Sequence, residues 1–216
     1  IALSAILALA SCSAPGDAAP SSSSSSDAVA DRTATVTYAG VVTPSNLDPH
    51  RGVTENDIPF LRYIYDPLTT VTPEGVPAPF LAESWELSED GNTFTMVMRE
   101  GATFVDGEPV NAAAVVANLN RMTTDPNSTV AYVLAPIIAS SEVVDERTVQ
   151  LNLQAPGGAL PTIFASRTGM MVSPKALENP ESLAITPAGA GAFELVANVP
   201  GSSYSFVRRD DYWDKD

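Results

Sequence analysis

The chain has a single cysteine in 216 residues, and it stands at position 12. No disulfide within the chain is open to it, so whatever folds downstream must be held by buried apolar surface and backbone hydrogen bonds. Hydrophobic residues make up 44% of the chain, enough for an ordinary globular core. Residues 1–10 carry no charge and read as the apolar region of a secretory signal, with small residues after it. Residues 13–30 are built almost wholly from Ser, Ala, Pro, Gly and Asp, including the serine run 21–26. Such a tract buries too little apolar surface to offset its ordering entropy, which predicts a flexible tether. From Thr33 onward apolar and polar residues interleave, and the folded part begins there.

Leu9-Ala10-Ser11-Cys12 resembles the lipobox of bacterial lipoproteins. That resemblance implies a diacylglycerol on the Cys12 thiol, cleavage just before it, and acylation of the new amino terminus. Two or more acyl chains give stable attachment where one is marginal. The expected divisions are a signal and lipobox over 1–12, a linker over 13–32 and a folded domain over 33–216. The chain lacks an initiator methionine and a basic stretch before residue 1, and it stops just after Tyr212-Trp213, so it reads as a fragment. Its 11 basic and 26 acidic residues give a formal charge of −15. That balance opposes nonspecific binding to nucleic acid or anionic lipid. No later stretch approaches the roughly 20 apolar residues of a membrane span. The expected location is the outer face of the cytoplasmic membrane or the periplasm, attached through Cys12.

Alternation predicts strands at 35–38, 94–98, 142–144, 148–153, 193–199 and 203–209, the last four as two hairpins. A helix is predicted over 56–65 with Thr54 or Asp57 as its cap, starting close to Pro59. The strongest helix runs over 112–122, capped by Asn111, with Val115, Val116, Leu119 and Met122 on one face. The pattern is mixed α+β, rich in strands.

Catalytic constellations are scarce. His50 is the only histidine, which excludes a histidine metal cluster or a Cys/His pair within this chain. No Gly-x-Ser-x-Gly elbow accompanies it. Gly189-Ala190-Gly191-Ala192-Phe193 lacks the third glycine of a dinucleotide loop and precedes a strand. No phosphate loop and no calcium-loop carboxylate spacing occur. Asn127-Ser128-Thr129 matches a glycosylation acceptor, a pattern common by chance.

A series of segments remains: Leu47-Asp48-Pro49-His50, Tyr65-Asp66-Pro67-Leu68, Leu81-Ala82-Glu83-Ser84-Trp85, Asp106-Gly107-Glu108-Pro109, Gly189 to Leu195, and Asp210-Asp211-Tyr212-Trp213. In order and spacing, over residues 33–213, this resembles the bacterial extracellular solute-binding proteins of family 5, the peptide- and nickel-type receptors of ABC importers. The resemblance implies an α+β, periplasmic-binding-protein-like fold, with the first lobe and its inserted subdomain here and the second lobe largely missing. It implies a first lobe near 33–63 and 174–216 and a subdomain near 64–173.

Trp85 reads as core and Gly107 as a turn residue needing positive φ. By analogy with peptide-binding relatives, main-chain atoms of Arg51, Gly52, Val53 and Thr54 would pair with a peptide like an added strand. Tyr132 would be a second contact, with simple packing as the other reading. Where the family usually has Gly-Thr-Gly-Pro-Tyr this chain has Gly189-Ala190-Gly191-Ala192-Phe193, losing a hydroxyl and a proline. The implied activity is capture of a solute, a short peptide first, and delivery to a membrane permease by a monomer without cofactor. An adhesion or scaffold lipoprotein and a hydrolase with its active site elsewhere are the rivals.

Overall fold

A computed structural model of the chain describes residues 33–40, 43–52 and 54–215. Cys12, the linker and Val53 lie outside them. Residues 33–39 carry no strand and are exposed, Val36 at 88%. The strand expected at 35–38 is thus not formed among the described residues: alternation supplies propensity, but a ladder needs a partner backbone.

The largest element is an antiparallel four-stranded sheet in the order β3-β4-β6-β5, following a small two-stranded pair, β1 (Thr69–Val71) and β2 (Pro77–Pro79). The sheet strands are β3 (Ala82–Leu87), β4 (Thr93–Met98), β5 (Ile138–Val143) and β6 (Thr148–Leu153). In β4 the alternation is complete: Phe94, Met96 and Met98 are buried while Thr93, Thr95 and Val97 are half-buried. Phe94 stands opposite Leu151 and Met96 opposite Val149, so one face of the sheet is continuously apolar. The register is pinned by that face, because a slip of one residue would turn it outward.

Helix α2 (Ala112–Thr124) covers that face. Asn111 caps it as expected, its Oδ1 accepting from Ala114 N at 2.9 Å. Its buried stripe is Ala114, Val115, Asn118, Leu119 and Met122. Gly107 turns the chain at φ +85°, as read from the sequence. Trp85 is half-buried against the margin of this core rather than inside it. Among the described residues no helix is long and apolar enough to cross a membrane.

A second core gathers Leu47, Leu61, Ile64, Tyr65, Met170, Val172 and Leu183. It lies between α1 (Ile58–Ile64) and the hairpin of β7 (Phe193–Val199) and β8 (Ser203–Arg208). Pro59 sits in the first turn of α1, where its missing amide costs nothing. Asp57 does not cap the helix. Its buried carboxylate turns back to accept from Ser45 N, Ser45 Oγ and Thr54 N. Three single-turn helices complete the fold: α3 (Ala131–Leu134), α4 (Leu160–Ile163) and α5 (Pro174–Leu177).

Candidate ligand-binding site

The loop after Leu47 is assembled around a buried charge. Asp48 is 1% exposed, and its carboxylate accepts from Arg121 Nη1 at 3.0 Å, Arg121 Nη2 and the His50 amide at 3.0 Å. A charge this deep needs a paired and hydrogen-bonded partner, which α2 supplies through Arg121. Arg121 Nη1 also lies 2.8 Å from His50 Nδ1. A guanidinium only donates, so Nδ1 accepts and the imidazole proton sits on Nε2, which donates to Met170 O at 2.9 Å. Burial lowers the His50 pKa from 6.5 to about 4. The only histidine is therefore a neutral structural link with both nitrogens occupied.

Arg51 is committed within the fold as well, through Asp125 at 2.9 Å and Glu181 at 2.6 Å. The amides of Arg51 and Gly52 both donate to the Asp48 carbonyl, and the Thr54 amide donates to Asp57. A peptide pairing with these amides would compete with bonds already made. The Gly52 carbonyl accepts from Thr129 Oγ1 at 2.6 Å and from Arg167 Nη1 at 2.5 Å.

Those two residues lead to Tyr132. The tyrosine, on α3, is 77% exposed and lines a shallow depression of about 210 Å³ with Val130, Val133, Thr162, Ile163 and Arg167. Enclosed sites for small solutes run to roughly 300–1,000 Å³, so the depression alone is too small to enclose one. Arg167 Nη1 donates to Pro49 O, Gly52 O and Thr129 Oγ1, all uncharged. Arg51, Arg121, Arg147 and Arg209 each pair with a carboxylate, whereas among the described residues Arg167, like Arg62 and Arg99, is held by neutral acceptors. The structure thus brings the 49–52 loop and Tyr132 to one place through Thr129 and Arg167. Neither of these was singled out as a contact from the sequence. The one available signal was Asn127-Ser128-Thr129, read there as a chance match.

A family model described as the bacterial extracellular solute-binding proteins, family 5 Middle, matches residues 76–216, well over half of the chain. The chain belongs to this family. Among curated relatives, the glutathione-binding protein GsiB of Escherichia coli K12 is 42% identical over 116 residues, 53% of this chain and 23% of that protein. The chain therefore spans about a quarter of the relatives that it matches. The periplasmic binding protein AgaA, solved with agropinic acid from A. tumefacien R10, superposes with a TM-score of 0.69 at 31% identity, covering 80% of this chain and 35% of that one. NikA of Brucella suis, solved with Fe(III)-EDTA, gives 0.70 at 29% identity over 80% and 36% of the two chains. The first is named for binding glutathione and the other two are solved with bound small molecules, and the fold is the periplasmic-binding-protein-like α+β class expected.

The family segments prove to be seams of the fold. Asp66 Oδ2 accepts from Tyr212 Oη at 3.0 Å and from Trp213 Nε1 at 2.9 Å, joining the second and last segments. Burial pushes the Asp66 pKa up from 3.8 to about 6. The Arg99 guanidinium lies 4.4 Å over the Trp213 ring, and Phe80 meets it edge-on. At Gly189 an added Cβ would stand 2.1 Å from the Ile64 carbonyl oxygen, and at Gly191 it would stand 2.6 Å from Ile64 C. Both glycines are needed for this close approach. The departures from the family motif leave the backbone bonding intact: Gly191 N donates to Ile64 O, Val105 N to Gly189 O, and Arg209 N to Ala192 O.

Proposed function

We propose that the protein is the solute-capturing receptor of an ABC importer. Arg167 and Tyr132 form the part of its ligand surface carried by this chain, and the solute bears a carboxylate. The supporting observation is Arg167 itself, a cation at the wall of a surface depression, held by neutral acceptors and unpaired with any described carboxylate. An arginine held this way presents its remaining donors in a fork that matches a carboxylate. Tyr132 supplies a flat, amphipathic contact of low entropy cost beside it. Glutathione, agropinic acid and EDTA, the ligands named for the relatives, all carry carboxylates. A short peptide of the glutathione class is accordingly the first solute to test.

In this reading Arg51, Gly52 and Thr54 frame the site, because their amides are already spent inside the loop. Residues 33–63 and 174–216 belong to a first lobe and 64–173 to its subdomain, with the second wall supplied by a further lobe. Cys12 carries the lipid that holds the receptor outside the cytoplasmic membrane, and a permease takes the closed, loaded form. Closure must be favoured by contacts made only in the loaded state.

The test is a thermal-shift titration of the full-length protein with reduced glutathione and with trialanine. A ligand at 100 times its Kd adds about 2.7 kcal/mol of stability. A clear rise in Tm with either solute, abolished by Arg167→Met, is expected. No shift from any carboxylate-bearing solute would overturn the reading.

A further inference from the structure

Thr129 lies where three elements of the candidate site meet. Its amide donates to His50 O at 2.8 Å, fixing its backbone to the buried loop. Its hydroxyl stands 2.6 Å from Gly52 O and 3.1 Å from His50 O. Arg167 Nη1 is 3.2 Å from the same hydroxyl oxygen and 2.5 Å from the same Gly52 carbonyl. A hydroxyl has one proton to give and lone pairs to receive with. The arrangement is therefore a closed triangle: Thr129 Oγ1 donates to Gly52 O, while Arg167 Nη1 donates to both oxygens. The neighbouring Ser128 Oγ donates to Met122 O near the end of α2, which holds the segment in register. Val130, Tyr132 and Val133, which follow directly, line the depression.

We propose that Thr129 is the positioning residue of the ligand site. Its hydroxyl fixes the Arg167 guanidinium against the 49–52 loop so that the unused edge of the fork faces the depression. This rests on the reading of Arg167 as the cation that receives the solute's carboxylate. A long arginine side chain free to rotate loses several rotamers on binding, and one already held loses few. Threonine suits the position better than valine, its near-isostere, because only the hydroxyl can accept from Arg167 while donating to Gly52. It also absorbs Asn127-Ser128-Thr129 into the site: the serine and threonine hydroxyls are spent on internal bonds.

The test compares wild type, Thr129→Val, Thr129→Ser and Arg167→Met in the full-length protein by calorimetric titration with reduced glutathione and with its diethyl ester. Arginine side-chain Nε–Hε NMR relaxation is recorded on the same unliganded proteins. Thr129→Val is expected to weaken glutathione binding about five- to tenfold, to leave ester binding unchanged, and to raise the mobility of the Arg167 Nε–Hε group. Thr129→Ser should restore both readouts. If Arg167→Met abolishes binding while Thr129→Val changes neither affinity nor mobility, Thr129 only packs and the inference falls while the receptor reading stands. If wild type binds neither glutathione form yet Thr129→Val mobilises Arg167, the positioning holds and the ligand reading fails. An immobile Arg167 in Thr129→Val refutes the inference whatever binds.

Discussion

At the scale of single residues, two buried ionisable groups pull the pH dependence of stability in opposite directions. Burial lowers His50 to about 4 from an ordinary 6.5, so between those values the unfolded chain binds the extra proton. Its contribution to stability is complete above pH 6.5 and is lost as pH falls toward 4. Burial raises Asp66 from 3.8 to about 6, so in that window the folded state binds the extra proton. Its contribution is complete below pH 3.8 and is lost as pH rises through 6. The windows overlap, and the two slopes largely cancel between pH 4 and 6. Asp66→Asn removes one of them. Tyr212 and Trp213 both donate to a single oxygen of Asp66, so the amide oxygen of asparagine keeps both bonds. The variant should be more stable than wild type by roughly 2 kcal/mol at pH 7. That advantage should vanish near pH 4, where Asp66 is protonated in the folded chain. Urea unfolding at both pH values checks this; a variant less stable than wild type at pH 7 would refute it. None of this was legible in the sequence. Asp66 stands there only as part of a family segment, and its partners lie 146 and 147 residues away. Gly107 was legible, because Asp-Gly announces its backbone conformation locally.

Among the elements, legibility followed the length of the repeating pattern. Helix α2 offers a cap, a stripe over three turns and a helix-compatible composition, and its start was read to the residue. The strands β4 and β6 alternate over six residues each, the buried face failing only at Leu153, which is half-buried at the end of β6. Helices α3, α4 and α5 have four residues each, too few for a 3.6-residue period to declare itself. Strand β3 lies at a sheet edge and carries a register shift between Ala82 and Ser84, which blurs its alternation. Asn118 was hidden for a different reason, since a polar residue on the apolar stripe of α2 looks like an error until its partners are known. Its amide nitrogen donates to Ala114 O at 2.8 Å and Val172 O at 2.7 Å, and its oxygen accepts from Val172 N at 2.8 Å. It is the stitch between α2 and the second core. Asn118→Ala leaves a buried amide and carbonyl of Val172 unsatisfied, at about 1–3 kcal/mol each. Asn111→Ala removes one exposed-end cap bond, at about 1 kcal/mol. Chemical denaturation should rank Asn118→Ala as at least twice as costly; equal losses would show that Val172 finds another partner.

For the whole molecule, the decisive feature is that the chain closes on itself at one arginine. The side chain of Arg209, 4% exposed, donates to Thr103 O and Oγ1, Phe104 O and Gly191 O, and it pairs with Asp211. Three and four residues further on, Tyr212 and Trp213 reach back to Asp66. Stretches before β3, before α2, before β7 and after β8 thus meet in one seam, and the cores on either side cannot part without breaking it. The two tryptophans report on different places: Trp85 on the four-stranded sheet and Trp213 on the seam. In each single-tryptophan form (Trp213→Phe and Trp85→Phe), fluorescence and far-UV circular dichroism should therefore give coincident urea transitions, as a two-state unit requires. Arg209→Met keeps the side chain's length and apolar body but leaves three backbone carbonyls short of a donor, at a cost of about 2–4 kcal/mol. With Arg209→Met added to the Trp85→Phe form, the Trp213 fluorescence transition should fall at lower urea than the circular-dichroism transition of the same protein, because the seam opens before the sheet does. Coincident transitions at an unchanged midpoint would mean that Arg209 is incidental, and that the ring contacts of Trp213 with Phe80 and the Arg99 guanidinium hold the seam by themselves.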